Sequence, residues 1–451
     1  MPGLSSEWNN EAYVSLHLVQ EMLSMAGLPR RSSYSHWYPE FKVKVPKITA
    51  NGFVKETKKE VDFLIEDLGR YINFLVEVKT ADTRIDNDAR VQLETYLKYS
   101  NTRFGVLIDP YLVEIYQYKE LQFSLVSEHT IQNPSQVQPV ADFLKSFLEK
   151  IKMRTIAIYT TKGGVGKTTL VVNLAYELAT QGNRVLVIDL DDQANASLSL
   201  GVNKAEEFDN ASSLEEFEEI IQSFEERKEV FEFITNYKLP SFNYKDYIYS
   251  SKLNNILNQT NSYGKVDILP SSFKTRNVEN LPLGHLPQKF LDKALRQSGI
   301  AQDYDYAIID TPPSSTLSVI NGLYAAQYVV IPSQMEYFSV YGIINPISFT
   351  KTVREEAENR AFILGIVPMM TESKVILHSN MKKIVAQRYP HLRIFQEIKR
   401  AIAVGKASQD RLPLSLYAEQ NTGAGDVKKQ FSILTKEILS EIHKRENSIG
   451  R

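Results

Sequence analysis

Two stretches of the chain hold residue types suited to phosphate chemistry. Residues 160–169 read TTKGGVGKTT. Gly163, Gly164 and Gly166 allow close backbone approach to an anion, Lys167 supplies a cation and Thr168 a hydroxyl for Mg²⁺, while Val165 and Thr169 complete the loop. The ordinary pattern G-x-x-x-x-G-K-[ST] fails, because its first glycine falls on Thr161; K-G-G-x-G-K-T, starting at Lys162, fits without a mismatch. Lys162 is a second lysine, beyond the one such a loop needs. The other stretch is EVDFLIED (60–67) followed by YINFLVEVKT (71–80). Asp62 and Glu77 can share a Mg²⁺ between carboxylates. Lys79 lies on the same side of its strand as Glu77 and can steady an attacking water or the charge of a phosphorane. E-x-K alone is a weak signal, since it occurs six times here, but only 77–79 lies in an apolar strand preceded by an aspartate-bearing one.

These groups must be positioned by regular elements. RTIAIYT (154–160) reads as a buried strand, TTLVVNLAYELATQG as a helix closed by Gly182, and RVLVIDLD (184–191) as a second apolar strand. Strand, glycine loop, helix and strand make a parallel βαβ unit whose helix N-terminus points at phosphate. Period two puts Asp189 and Asp191 on one side of the strand end. YAIIDTPPS (306–314) is a hydrophobic strand ending in Asp310, a candidate carboxylate for the Mg²⁺ shell, although strand-end aspartates also serve as caps and turns. In the first half, NDARVQLETYLKYS (87–100) reads as a helix with Gln92 and Tyr96 at i, i+4; TRFGVLIDP and LVEIYQY read as strands, and Glu11 sits on an N-terminal helical stretch.

The polar run IQNPSQVQ (131–138) and the amphipathic ADFLKSFLEKIK (141–152) look like a boundary with a linking helix. The expected division is therefore a first domain over 1–130, a linker and helix over 131–152, and a second domain over 153–451. Residues 206–232 hold eleven acidic residues against Arg227 and Lys228, with Ser213 and Glu216 at capping-box spacing. That segment reads either as a helix with a solvated acidic face or as a partner-binding helix.

The 451 residues suffice for two or three domains, and 43% hydrophobic with 24% charged residues is an ordinary globular composition. A net charge of −2 excludes a global basic field, so any affinity for nucleic acid must come from local patches. With no cysteine, disulfides, thiolate zinc sites and iron–sulfur clusters are excluded. MPGLSSEWNNEAYV has neither a basic start nor an apolar core, and no apolar run approaches a membrane span, so a cytoplasmic protein without a membrane partner is expected.

Residues 153–451 resemble the ParA/MinD family of deviant-Walker ATPases. The resemblance implies ATP and Mg²⁺ as cofactors and an ATP-dependent homodimer. In it Lys162 reaches the other subunit's phosphates, an effect like that of an arginine finger, worth about 10³–10⁵ in rate elsewhere. VIDLDDQAN (187–195) resembles the family segment D-x-D-P-Q-x-N. By that likeness Asp191 orients the attacking water and Asp189 lies near Mg²⁺, while Asp192 replaces the usual proline. Adenine is expected near Pro368 and Met369, in FILGIVPMM (362–370). Residues 371–411 carry nine Lys/Arg against Glu372, Glu397 and Asp410, where that family touches DNA. Lys382, Lys383, Arg388, Lys399, Arg400 and Lys406 are thus candidate contacts to duplex DNA of any sequence, with ordinary charged surface as the alternative. The family also suggests a protein partner that stimulates hydrolysis. Iron–sulfur relatives are excluded by the missing cysteines. The last helix, KKQFSILTKEILSEIHKREN (428–447), has Phe431, Leu434, Ile438 and Ile442 at core spacing, unlike a membrane anchor.

Residues 5–125 resemble the PD-(D/E)xK nucleases, especially the N-terminal domain of type I restriction R subunits, with EVD in place of the nominal Pro-Asp. That likeness gathers Asp62, Glu77, Lys79 and Gln92 into an active site, the two carboxylates holding Mg²⁺. The expected fold class is α/β, a restriction-endonuclease-like domain followed by a P-loop domain with a mostly parallel sheet. The expected function is a DNA-binding ATPase carrying a Mg²⁺-dependent deoxyribonuclease, in defence against foreign DNA or mobile-element maintenance. The alternative is a partition or positioning ATPase whose first domain only binds.

Overall fold

The computed structural model describes residues 5–30, 35–48, 54–67, 72–100, 102–119, 122–133, 137–202, 212–259, 264–281, 287–356, 361–372, 376–420 and 429–449. They fall into two compact units: Met1–Met153 with Arg296–Asp303, and Arg154–Leu295 with Tyr304–Arg451.

The first unit is built on one mixed sheet in the order β1-β2-β3-β4-β5-β6, with β1 Ser35–Ile48, β2 Val54–Asp67, β3 Ile72–Val78, β4 Phe104–Ile108, β5 Leu112–Lys119 and β6 Gln122–Thr130. Only β3 and β4 pair in parallel, and the helix Asn87–Ser100 supplies the crossover such a pair requires. Side chains alternate between two cores. Ile65, Phe74, Val76, Val106 and Ile108 pack with Val14, Leu18 and Met22 of the N-terminal helices. Leu64, Leu75 and Leu107 pack on Ala89, Leu93 and Tyr96 of the crossover helix. Period two therefore puts Asp62 and Glu77 on the crossover-helix side.

After β6 the chain forms the helix Gln138–Ile151, whose Val140, Ala141, Leu144 and Leu148 are buried in the first of those cores. Its apolar stripe covers a sheet face that would otherwise meet water, which is why it is amphipathic. The side chain of Ile151, counted on that stripe, lies outside the described residues.

The second unit has a sheet in the order β14-β13-β12-β7-β11-β8-β10-β9, with β15 paired to β13. Its strands are β7 Arg154–Ile158, β8 Arg184–Asp189, β9 Tyr249–Ser250, β10 Lys265–Leu269, β11 Tyr306–Asp310, β12 Tyr328–Gln334, β13 Phe362–Thr371, β14 Arg393–Ile394 and β15 Ile398–Lys399. All pairings are parallel except that of β10 with the two-residue β9. β7, β11 and β8 lie side by side, with Asp310 opposite both Ile158 and Asp189. Their C-terminal ends open onto one edge, where parallel α/β sheets bind ligands. The helix Lys167–Thr180 is buried over most of its length, as its apolar sequence requires, and Gly182 at φ +86° ends it. In the terminal helix Gln430–Ile449, Phe431, Leu434, Ile438 and Ile442 are buried in the same core. Among the described residues no helix is long and apolar enough to cross a membrane.

The acidic segment forms the helix Leu214–Glu226. Ser213 Oγ accepts from Glu216 N at 3.1 Å, but the Glu216 carboxylate returns to Ser212 N at 2.8 Å instead of closing a box on Ser213. Among its described side chains Ile220 is buried, while Leu214 and Phe217 are 71% and 44% exposed.

Candidate functional site

β7 delivers the chain into the glycine loop, and the loop ends at Gly166, the N-cap of the following helix, at φ +91°. The left-handed backbone at 166 disfavours any side chain there, and a Cβ would also displace the flexible end of Met369, whose Cε lies 2.9 Å from it. The loop lines a cavity of about 680 Å³ together with Lys167, Thr168, Thr169, Asp191 and Gln193. This size suits a small-molecule ligand. Val165 is buried behind the loop.

Thr168 Oγ1 donates to Asp310 Oδ2 at 2.7 Å. Asp310 is fully buried, and its Oδ1 has no hydrogen-bond partner. Burial raises its carboxyl to about 8, with the Asp189 charge adding to the effect. Burial lowers Lys167, against the pull of Asp310 and Asp191. A hydroxyl and an unsatisfied carboxylate oxygen beside a phosphate cradle fit Mg²⁺, which takes one or two protein oxygens and fills its shell with phosphate and water. Consistent with that sparse donor set, no group of three or more His, Asp or Glu able to hold a metal occurs among the described residues.

Asp189, opposite Asp310 on the neighbouring strand, has both carboxylate oxygens engaged within the chain. Its Oδ2 accepts from Ser197 N at 2.9 Å and Ser197 Oγ at 2.8 Å, and its Oδ1 from Asp191 N at 3.1 Å. With both oxygens engaged, it braces the segment that carries Asp191. Ser271 extends the brace: its Oγ donates to Asp191 O at 2.6 Å, and its N donates to Ser197 Oγ at 3.0 Å. Asp191 itself lines the cavity, and burial raises its carboxyl. Asp192, in the proline position, pairs with Arg276, which holds its carboxyl low against the effect of burial.

Lys162 is exposed. Its Nζ donates to Gln334 Oε1 at 2.8 Å and to Glu336 Oε2 at 3.2 Å, both beyond the end of β12 or at it. On the adenine side Met369 and Met370 line the cavity, whereas Pro368 is buried within β13 and does not. The basic surface is less uniform than the sequence suggested. Lys399 and Arg400 line the cavity, and the exposed Arg400 also pairs with Glu372 at 3.1 Å. Lys382 pairs with Glu397 and Arg393 with Glu437. Lys383, Arg388 and Lys406 are exposed, and Lys374 lies outside the described residues.

In the first unit Asp62 and Glu77 lie one step beyond the paired residues Phe63 and Val76 of β2 and β3. Asp62 Oδ2 accepts from Val78 N at 2.6 Å. Its carboxyl is raised to about 8 by burial, by a hydrogen bond with the Glu11 carboxyl, and by the Glu77 charge. Glu77 is buried; its Oε1 pairs with Lys79 at 2.8 Å, and its Oε2 has no partner. Asp62, Glu77 and Lys79 are thus brought together, with the Glu11 carboxyl on Asp62 and one Glu77 oxygen left without a partner. Gln92 is held apart from them: its Nε2 donates to Tyr96 Oη at 2.6 Å, and that hydroxyl donates to the backbone carbonyl of Glu60 at 2.8 Å.

Residues 153–363 match the family model of an AAA domain. Over 289 residues the chain is 28% identical to the sporulation initiation inhibitor protein Soj of Bacillus subtilis, covering 64% of this chain and 98% of that protein. Over 296 residues it is 27% identical to the chromosome partitioning protein ParA of Caulobacter vibrioides, covering 65% and 97%. A solved structure of apo McdA from Cyanothece matches with a TM-score of 0.50 at 22% identity, over 64% of this chain and 99% of that one, a likeness of fold. The second unit therefore contains a P-loop ATPase domain of the ParA/MinD type. Such domains bind ATP with Mg²⁺, and the residues on the cavity wall fit both. The family model starts at residue 153 and does not bear on the first unit.

Gly166→Ala is expected to weaken nucleotide binding, because the left-handed backbone of the loop disfavours a Cβ at this position. Titration with a fluorescent ATP analogue checks this, and wild-type affinity in the variant contradicts it.

Proposed function

We propose that this chain is a ParA-type ATPase that dimerises on ATP–Mg²⁺, associates with duplex DNA without sequence preference, and serves partition or positioning. The observation that carries the reading is the two-lysine loop with Thr168 on Asp310 and Asp191 on the cavity wall. Lys167 and the loop amides bind the phosphates, and the braced Asp191 orients the attacking water. Thr168 and Asp310 are the groups that would hold Mg²⁺, whose charge offsets that of the phosphates. Lys162 serves the nucleotide of a second copy. Relatives named for chromosome partitioning support the cellular role.

Lys162→Ala is expected to keep ATP binding but lose ATP-dependent dimerisation, while Asp191→Ala accumulates an ATP-bound dimer. Light scattering after size exclusion separates these outcomes, and an unchanged dimer fraction in the lysine variant sinks the trans role.

For DNA, the exposed pair Lys383 and Arg388 is the better probe, since reversing Lys399 or Arg400 would also disturb the cavity. Lys383→Glu with Arg388→Glu should weaken binding to all duplexes about equally and flatten its salt dependence. Filter binding across a salt series tests it; unaltered binding assigns the surface to solvent.

One observation favours a second reading, in which the first unit is a Mg²⁺-dependent nuclease: the unpartnered Glu77 Oε2 beside Asp62 and Lys79. One metal site serves one scissile phosphate, and a two-fold dimer carries two such sites. Plasmid with Mg²⁺ and ATP should then become linear, and with Mg²⁺ alone at most nicked. Glu77→Ala should abolish cutting and leave ATP hydrolysis intact. Cleavage that persists in Glu77→Ala rules this site out, and absence of cleavage under every condition leaves the first unit as a binding module.

A further inference from the structure

The helix Ile402–Gln409 ends in a turn closed by two hydrogen bonds, Leu412 N to Ala407 O at 2.8 Å and Arg411 N to Ser408 O at 3.1 Å. These are the two bonds of a Schellman motif, which puts one residue in the left-handed region, most often glycine because a Cβ is unfavourable there. Here that residue is Arg411, at φ +55°. The same arginine lines the nucleotide cavity. Met370, another non-glycine residue at positive φ, lines it too, and strained backbone gathers where a ligand is held.

The turn has a fixed place along the P-loop helix. Ser408 Oγ lies 3.2 Å from Thr169 Oγ1, and Leu414 N donates to Asn173 Oδ1 at 2.7 Å. Residues 408–414 therefore flank the helix from its first turn into its second, where Val172 and Asn173 also line the cavity. Asp310 bonds Thr168, at the helix N-terminus, which is the end that takes the terminal phosphates. Resting on the reading of this cavity as an ATP site, we propose that Arg411 contacts the half of the nucleotide that ATP and ADP share, the nucleoside and α-phosphate, and that the strained turn is kept for this side chain.

Two substitutions separate this role from a structural one. Arg411→Gly suits the turn better than arginine does, and Arg411→Asn is tolerated in the left-handed region; both delete the guanidinium. Calorimetric titration of the full chain should show ATP and ADP weakened by the same factor, about tenfold or more for a lost charged contact. The melting temperature should be unchanged or raised in Arg411→Gly, and KM for ATP should rise with kcat largely preserved. A structural role predicts no loss of affinity in either variant. Unaltered affinities, or a loss confined to ATP, overturn the proposal. Failure of the unmutated chain to bind nucleotide would instead overturn the ATPase reading.

Discussion

The second unit is organised around two buried carboxylates in register on adjacent parallel strands, Asp189 on β8 and Asp310 on β11. Like charges this close, without water, cannot both be stable without partners. The fold treats them differently. Asp189 spends both oxygens on Ser197 and Asp191 and becomes part of the scaffold. Asp310 keeps one oxygen on Thr168 and leaves the other unpartnered. Beside them Lys167 is depressed by the same burial that raises the carboxylates. The cation wants an anion and the anion wants a cation. A polyphosphate with its divalent ion supplies both at once, so the unpaired electrostatics of the protein alone describe the ligand.

The same logic distinguishes one carboxylate in the first unit from its neighbours. Glu114 is as buried as Glu77, yet both its oxygens are held by Arg90, at 2.6 and 2.9 Å. Asp109 is buried and takes Tyr111 N and Leu112 N on one oxygen and Arg84 and Ile85 N on the other. Both of these structural acids are satisfied on both oxygens. Glu77 is satisfied on one oxygen only, next to Asp62, which shares a hydrogen bond with a third carboxyl on Glu11. Groups left in that condition cost stability, and function is the usual reason for keeping them.

What the sequence revealed and what it hid divide by range. The glycine loop, the strand ends at Asp310 and Asp191, and the core stripe of the last helix are patterns within a few residues, governed by backbone geometry and periodicity. The brace on Asp189 joins Ser197 to Ser271, 74 residues apart in sequence, and no local pattern announces it. The wall formed by Lys399, Arg400 and Arg411 escaped for a different reason. Counting charge along the chain cannot tell a cavity wall from an outer surface. The amphipathic stripe of the helix at 138–151 says that a face is buried but not against what, and only the structure shows that it covers the first unit's core. Arg411 could not be found at all from spacing, since left-handed turns are signalled by glycine and this one has none.

The position of Lys162 fits the two-copy reading on energetic grounds. In a single chain it rests on Gln334 and Glu336, and its side chain and that of Glu336 are 42% and 52% exposed. A pair so exposed is worth about 0–1 kcal/mol, because solvent screens it and two long side chains must be ordered. A lysine brought against a polyphosphate at a water-excluding interface gains far more, since the opposing charge is multiple and the medium less polar. The same-chain pair is therefore a resting place and not a lock. Gln334 links that resting place to the cavity, for its Nε2 lies 3.2 Å from Met370 Sδ and 3.5 Å from Gly164 O. Gln334 therefore joins Lys162 to residues that line the cavity.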